Sequence, residues 1–256
     1  MLPSIRNRAV RVKQYKRILH QNLRKITQTI SSATPIRPKD SFGHISIKGF
    51  SSVIVYNRVP KCASETIRLV FREQSDIQKF NIINSAIYAP FDYNTEEQQK
   101  IVNEVYNTTQ PILYERHMYF INFSLFEKPQ PIYINVVRDP LERSISAFYF
   151  TRTTCRLENR CYLNLDYLND TLDDCINIRH KLNPEECLSS QHGVSHMIPF
   201  FCGQDPKCQL INDWSLQQAK TNIMRHYTIV GVTEQLYDFF FVLGMITILI
   251  SSNYTI

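Results

Sequence analysis

Short apolar runs alternate along this chain with polar segments that carry a helical stripe. Ser52-Ser-Val-Ile-Val-Tyr56 is rich in β-branched residues and predicts a buried strand. A loop, Asn57–Ser64, follows. Glu65–Arg72 then places Ile67, Val70 and Phe71 on one face, which predicts a helix capped by Ser64. Residues 75–110 are polar and predict helical pieces, with Thr95-Glu-Glu as a cap. Pro111-Ile-Leu-Tyr114 predicts a second strand ending near His117, and Pro131-Ile-Tyr-Ile-Asn-Val-Val137 carries the strongest strand signal. Pro140 suits a first helical position with Asp139 as its cap, and Leu141, Ile145, Phe148 and Tyr149 predict the buried stripe of that helix. Residues 152–195 are loop-rich, Asn212–Arg225 predicts a helix and Tyr227–Val232 a strand. Strands and helices alternating at these lengths imply an α/β domain with a mainly parallel sheet flanked by helices.

Charge changes the picture at one end. The chain has a net charge of +6, yet ten of its 29 Lys and Arg fall within residues 1–39, which hold no acid. The remainder carries 19 basic against 23 acidic residues, so whole-chain basicity is no argument for a nucleic-acid partner. The arm has a weak helical stripe ended by Pro35 and Pro38. It reads as a solvated stem or as a contact surface for acidic polymers or membrane headgroups, and its sequence does not separate these.

Of seven cysteines, Cys155, Cys161, Cys175, Cys187, Cys202 and Cys208 crowd together, while Cys62 stands apart. Short disulfide loops in an oxidising compartment are the favoured reading. Zinc is the competing one, because His192 and His196 stand at helical spacing, but no CxxC pair occurs. Glycosylation triplets at Asn107, Asn122, Asn169 and Asn253 agree with a secretory lumen. No apolar run reaches bilayer-spanning length, the longest being Phe239–Ile250, and residues 1–30 lack a signal peptide. A lumenal location therefore requires a membrane anchor upstream of this chain.

Candidate chemistry sits at two strand-to-helix turns. At the first, a buried strand delivers Arg58 and Lys61, and the small residues Cys62, Ala63 and Ser64 lead into a helix. A helix N-terminus presents unbonded N–H groups and partial positive charge, so it binds phosphate or sulfate. No glycine occurs between Gly49 and Gly193, which excludes the GxxxxGKS/T and GxGxxG motifs of ATPases, GTPases and dinucleotide enzymes. At the second turn, Arg138 ends a strand and Ser146 lies seven residues beyond Asp139, so the two can converge on one phosphate.

RVPKCAS followed by INVVRDPLERSISAFYF resembles the two elements that bind 3′-phosphoadenosine-5′-phosphosulfate (PAPS) in Golgi polysaccharide sulfotransferases. Tyr114-Glu-Arg-His-Met-Tyr-Phe-Ile-Asn-Phe123, Ile198-Pro-Phe-Phe-Cys-Gly-Gln204 and Val230-Gly-Val-Thr-Glu234 narrow the resemblance to the uronyl 2-O-sulfotransferases. That group includes the heparan sulfate and dermatan/chondroitin sulfate enzymes and the insect Pipe proteins, and the ERHMYFINF stretch leans toward the dermatan/chondroitin type. The resemblance spans residues 50–243 in the same order. It implies a P-loop-like sulfotransferase fold over residues 46–243, with 1–45 as a basic stem and 244–256 as a divergent apolar tail. Family members continue with further helices, so the resemblance also implies an incomplete chain.

By this resemblance, Arg58, Lys61, Cys62, Ala63, Ser64 and Thr66 surround the 5′-phosphosulfate, and Arg138 and Ser146 hold the 3′-phosphate. His117 stands at the position of the catalytic base, with Lys61 stabilising the leaving phosphate. The pairs Cys175–Cys187 and Cys202–Cys208 carry over, with Cys155–Cys161 as an extra bridge and Cys62 left free. Two residues depart from the heparan sulfate enzymes: Cys62 replaces threonine, and Glu65, an acid beside a polyanion, replaces a hydroxyl residue. The implied reaction is sulfuryl transfer from PAPS to the 2-hydroxyl of a uronic acid in a sulfated glycosaminoglycan. It needs no metal and no nucleic acid, and takes place in the Golgi lumen. The family's trimers imply a homo-oligomer. Competing readings are a binding protein without turnover, a sulfotransferase for another hydroxyl such as protein tyrosine, and, more distantly, a nucleotide kinase.

Overall fold

The computed structural model describes residues 52–85, 91–157, 168–179, 197–210 and 212–251. The chain divides into two units, one of Ser51–Leu236 and one of Met1–Phe50 with Tyr237–Ile256. The first contains five strands: β1 (Val53–Asn57), β2 (Asn81–Asn84), β3 (Ile112–Arg116), β4 (Ile132–Val137) and β5 (Tyr227–Val232). Their order is β2-β3-β1-β4-β5 and every neighbouring pair is parallel. β1 is buried along its whole length, as expected of an inner strand covered on both faces. β2 escaped the sequence reading because its Asn-Ile-Ile-Asn is short, polar-ended and edge-placed; pairing of Asn81 with Ile112 of β3 defines it.

The helices follow the predicted segments with three corrections. Helix α1 (Ser64–Gln78) starts with Ser64 inside it, and the capping position belongs to Ala63 in a left-handed conformation with no side-chain cap. Helix α2 (Thr95–Asn107) is capped one residue early, by Asn94. The Asn94 side chain accepts from Glu97 N–H while its own N–H donates to the Glu97 carboxylate. Helix α3 (Pro140–Leu157) begins at Pro140 as expected, and Asp139 Oδ1 accepts from Glu142 N–H at 3.0 Å. Its buried face, however, is Arg143, Ser144, Ala147, Phe148 and Arg152. Leu141 is 60% exposed, Tyr149 is also exposed, and only Phe148 of the predicted stripe is fully covered. Apolar residues lie on nearly every side of this helix, so periodicity cannot select a face. Burial of Arg143 and Arg152 decides it, with the Arg152 guanidinium 3.3 Å over the Phe148 ring.

Helices α4 (Met197–Cys202) and α5 (Asp213–His226) pack together, and Asn212 caps α5. Gly203 ends α4 at φ 115°, a conformation open to glycine, where an added Cβ would press on the Phe120 carbonyl at 3.3 Å. The Cys202–Cys208 disulfide closes the following turn. Cys155 and Cys175 are also disulfide-bonded, and their expected partners Cys161 and Cys187 lie outside the described residues. His192, His196 and Asn253 lie outside them as well. Asn107 and Asn169 are exposed, whereas Asn122 is half-buried and its side chain accepts from Ser124 N–H at 3.2 Å.

Helix α6 (Leu236–Ser251), which from Tyr237 onward belongs to the second unit, buries Phe239, Phe240, Leu243 and Ile246 at helical spacing. It runs unbroken across the expected boundary between residues 243 and 244. Among the described residues, no helix is long and apolar enough to cross a membrane.

The sheet is tied at its C-terminal end by one buried carboxamide. Asn57 Nδ2 donates to the carbonyls of Phe200 at 2.9 Å and Met118 at 3.4 Å. Its Oδ1 accepts from Asn135 Nδ2 and Tyr227 O–H, both at 3.0 Å. β1, the segment after β3, β4, β5 and α4 therefore meet on a single side chain with no solvent exposure. Replacing Asn57 by Leu strands several buried polar atoms. Unfolding free energy should fall by about 2–4 kcal/mol, read from denaturant melts.

Candidate active site

A parallel sheet delivers the ends of its strands to one edge, and ligands bind there where the strand order reverses. Here the reversal lies between β1, whose next strands lie on one side, and β4, on the other. The loops after these strands are the two expected anion turns. A cleft of about 660 Å³ opens at this edge, within the range of about 300–1,000 Å³ usual for ligand pockets. Lys61, Ala63, Ser64 and Thr66 line it from the first turn and Arg138 and Ser146 from the second, with His117 on the same wall. Arg58 and Cys62 do not line it; both are buried behind it.

The first turn is built with backbone strain. Lys61 (φ 67°) and Ala63 (φ 58°) adopt left-handed conformations that glycine would occupy more easily. Each costs on the order of 1–3 kcal/mol, and such strain concentrates at ligand sites. With a left-handed Ala63 at the capping position, α1 opens on the cleft without a side-chain capping hydrogen bond. The Lys61 ammonium lies 3.6 Å from the centre of the Phe150 ring, which reaches it from α3.

His117 is positioned by strand register. β1 and β3 pair Asn57 with Arg116, so the next residues, Arg58 and His117, also come side by side. Arg58 N–H donates to the Arg116 carbonyl at 2.8 Å, and His117 Nδ1 lies 2.8 Å from the Arg58 carbonyl. A carbonyl only accepts, so Nδ1 carries the proton and Nε2 holds the lone pair of the neutral ring. The ring is buried, with Phe91 edge-on at 6.4 Å.

The second turn carries its own acids. Arg138 pairs with Glu142 at 3.2 Å, and Asp139 N–H donates to Glu234 at 3.3 Å. Hydrogen bonds from backbone N–H groups, with Arg138 nearby, hold the Glu234 carboxyl below its ordinary range. Glu65, read from sequence as an acid beside the polyanion, lines the cleft as well, and Pro60, Glu142, Phe150, Thr233 and Glu234 line it without having been singled out as site residues from sequence. A signal existed for two of them: Glu142, Ser146 and Phe150 stand four residues apart on one helix face.

A sequence profile described as "Sulfotransferase family" matches residues 44–240. The chain is 35% identical over 203 residues to human uronyl 2-sulfotransferase, covering 74% of this chain and 47% of that protein. It is 33% identical over 197 residues to Xenopus laevis heparan sulfate 2-O-sulfotransferase 1, covering 75% and 53%. With the Drosophila melanogaster protein named heparin sulfate O-sulfotransferase, identity is 33% over 192 residues, covering 73% and 53%. The chain thus spans about half the length of the curated relatives it matches.

Cys62 offers a check on this architecture. Burial pushes its thiol up to about 12 despite the attraction of Arg143 and Arg138, so almost no thiolate exists near neutrality. Iodoacetamide at pH 8 should leave Cys62 unmodified in the folded protein and label it after denaturation, as read by peptide mass spectrometry.

Proposed function

The chain belongs to the sulfotransferase family, and on that premise we propose that it moves a sulfuryl group from PAPS to the 2-hydroxyl of a uronic acid in a glycosaminoglycan. One observation carries the reading: two strand-end anion cradles and a histidine share a single cleft. The similarity to proteins named as uronyl and heparan sulfate 2-sulfotransferases supports the acceptor class. The Cys202–Cys208 disulfide supports an oxidising lumen, and we place the protein in the Golgi.

The donor's 5′-phosphosulfate lies over the α1 N-terminus with Lys61 beside it, and its 3′-phosphate reaches Arg138 and Ser146. Donor binding then competes with Glu142 for the Arg138 guanidinium. The acceptor hydroxyl is a weak nucleophile until a base takes its proton. His117 Nε2 takes that proton while the sugar oxygen bonds to sulfur and the bond from sulfur to the bridging phosphate oxygen breaks. The electron pair of that bond stays on the leaving phosphate, where Lys61 and the helix N-terminus stabilise it. The imidazolium formed is held through Nδ1–H by the Arg58 carbonyl.

His117→Ala should keep the affinity for 3′-phosphoadenosine-5′-phosphate (PAP), measured by calorimetry. Its transfer of labelled sulfate from PAPS should fall about 10²–10⁴-fold. Unchanged turnover would remove the base from His117. Arg138→Ala should weaken PAP by about tenfold or more while barely changing binding of adenosine 5′-monophosphate, which lacks the 3′-phosphate. Transfer assays on desulfated dermatan, chondroitin and heparan sulfates, with disaccharide analysis, test the acceptor; product sulfated anywhere but the uronyl 2-position contradicts the assignment.

A further inference from the structure

Glu65 places a carboxylate where a polyanionic donor is proposed to bind. It sits in the first turn of α1, lines the cleft and is 78% exposed. An acid there suits the helix dipole, but left uncompensated it repels an incoming phosphosulfate.

The chain surrounds that carboxylate with a line of alternating charge that runs into the core. Arg68, one turn along α1, donates through one terminal nitrogen to both Glu65 oxygens, at 2.9 and 3.1 Å. Arg58 also stands 4.0 Å from Glu65. The Nε of Arg68 donates to Glu115 at 2.8 Å, and Glu115 is 2% exposed on β3, next but one to His117. Glu115 cannot move without disturbing the sheet, so it fixes Arg68, and Arg68 in turn fixes the exposed Glu65. The guanidinium fork serves both partners at once, inward through Nε and outward through its terminal nitrogen; an ammonium offers no such rigid pair. Hydrogen bonds to both carboxylates raise the Arg68 pKa against the opposing effect of burial, so the charge stays in place.

We propose that Arg68, held by buried Glu115, is a positioning residue for donor binding that neutralises Glu65 and draws its carboxylate along α1 away from the Lys61–Ser64 loop. Arg68 lies off the cleft wall and touches neither donor nor reacting atoms, so its effect falls on donor affinity rather than on the chemical step. The proposal rests on the donor reading given above.

The test is a charge-rescue series, R68M, E65Q and R68M/E65Q, assayed by PAP calorimetry at low and physiological ionic strength and by kcat and KM for PAPS. R68M should weaken PAP about fivefold at low salt, raise the PAPS KM in step and leave kcat within about twofold. E65Q should bind at least as tightly as the natural chain, and R68M/E65Q should return to its affinity. The R68M defect should shrink at higher ionic strength, because the carboxylate it exposes is in solvent. Because R68M also leaves buried Glu115 uncompensated, thermal melts accompany each variant. If R68M does not fold, the series is repeated in an E115Q background, which removes the buried carboxylate that R68M strands. A double variant that binds PAP as weakly as R68M overturns the role of Arg68 and leaves the donor reading standing. A natural chain that fails to bind PAP overturns both.

Discussion

Asn57 is where the strands, the histidine segment and helix α4 are held to one another. It ends the middle strand of a parallel sheet, fully buried, and its carboxamide bonds the segment after β3, the α4 backbone, β4 and β5. A buried amide must satisfy its donors and acceptors, and each acceptable partner arrangement is directional. That requirement sets the relative height of the strand ends. The residue after Asn57 is Arg58, whose carbonyl orients His117, so the geometry of the proposed base follows from the same constraint.

Around this fixed floor, the cleft handles charge in a domain that is net acidic beyond residue 39. Its basic residues do not stand alone: Arg138 meets Glu142, Lys61 rests on the Phe150 ring, and Arg58 and Arg68 meet Glu65. The exposed Arg138–Glu142 pair contributes little to stability, about 0–1 kcal/mol, and so yields readily to a stronger anion. The strain at Lys61 and Ala63 works in the same direction. It leaves the α1 N-terminus without a side-chain cap, whereas α2, α3 and α5 each carry one. The weak internal contacts of the cleft are the ones that the proposed phosphate-bearing donor would replace.

Much of this was legible in the residue order. Apolar runs marked β1, β3 and β4, because an inner parallel strand is apolar on both faces and needs no partner to be recognised, and the β-branched residues of Tyr227–Val232 marked the edge strand β5. Pro140 after Asp139 marked the start of α3, and basic residues followed by small ones marked the α1 turn. These are local signals, set within a few residues by sterics and backbone hydrogen bonding.

What the sequence by itself determined is therefore the strand-turn-helix units and their chemical endowment: Lys61 and Ser64 at one turn, Arg138 and Ser146 at another, His117 after a strand. Tertiary structure alone decided their meeting. Strand order brought β1 between β3 and β4, and register set His117 against the Arg58 carbonyl. It also chose the buried face of α3, where apolar residues on every side left Leu141 and Tyr149 looking as eligible for burial as Phe148. The same holds for the Arg58–Glu65–Arg68–Glu115 line, whose members are up to 57 positions apart. Side-chain identity is written residue by residue, but distance across a sheet is a property of pairing, and pairing is settled by the whole core at once.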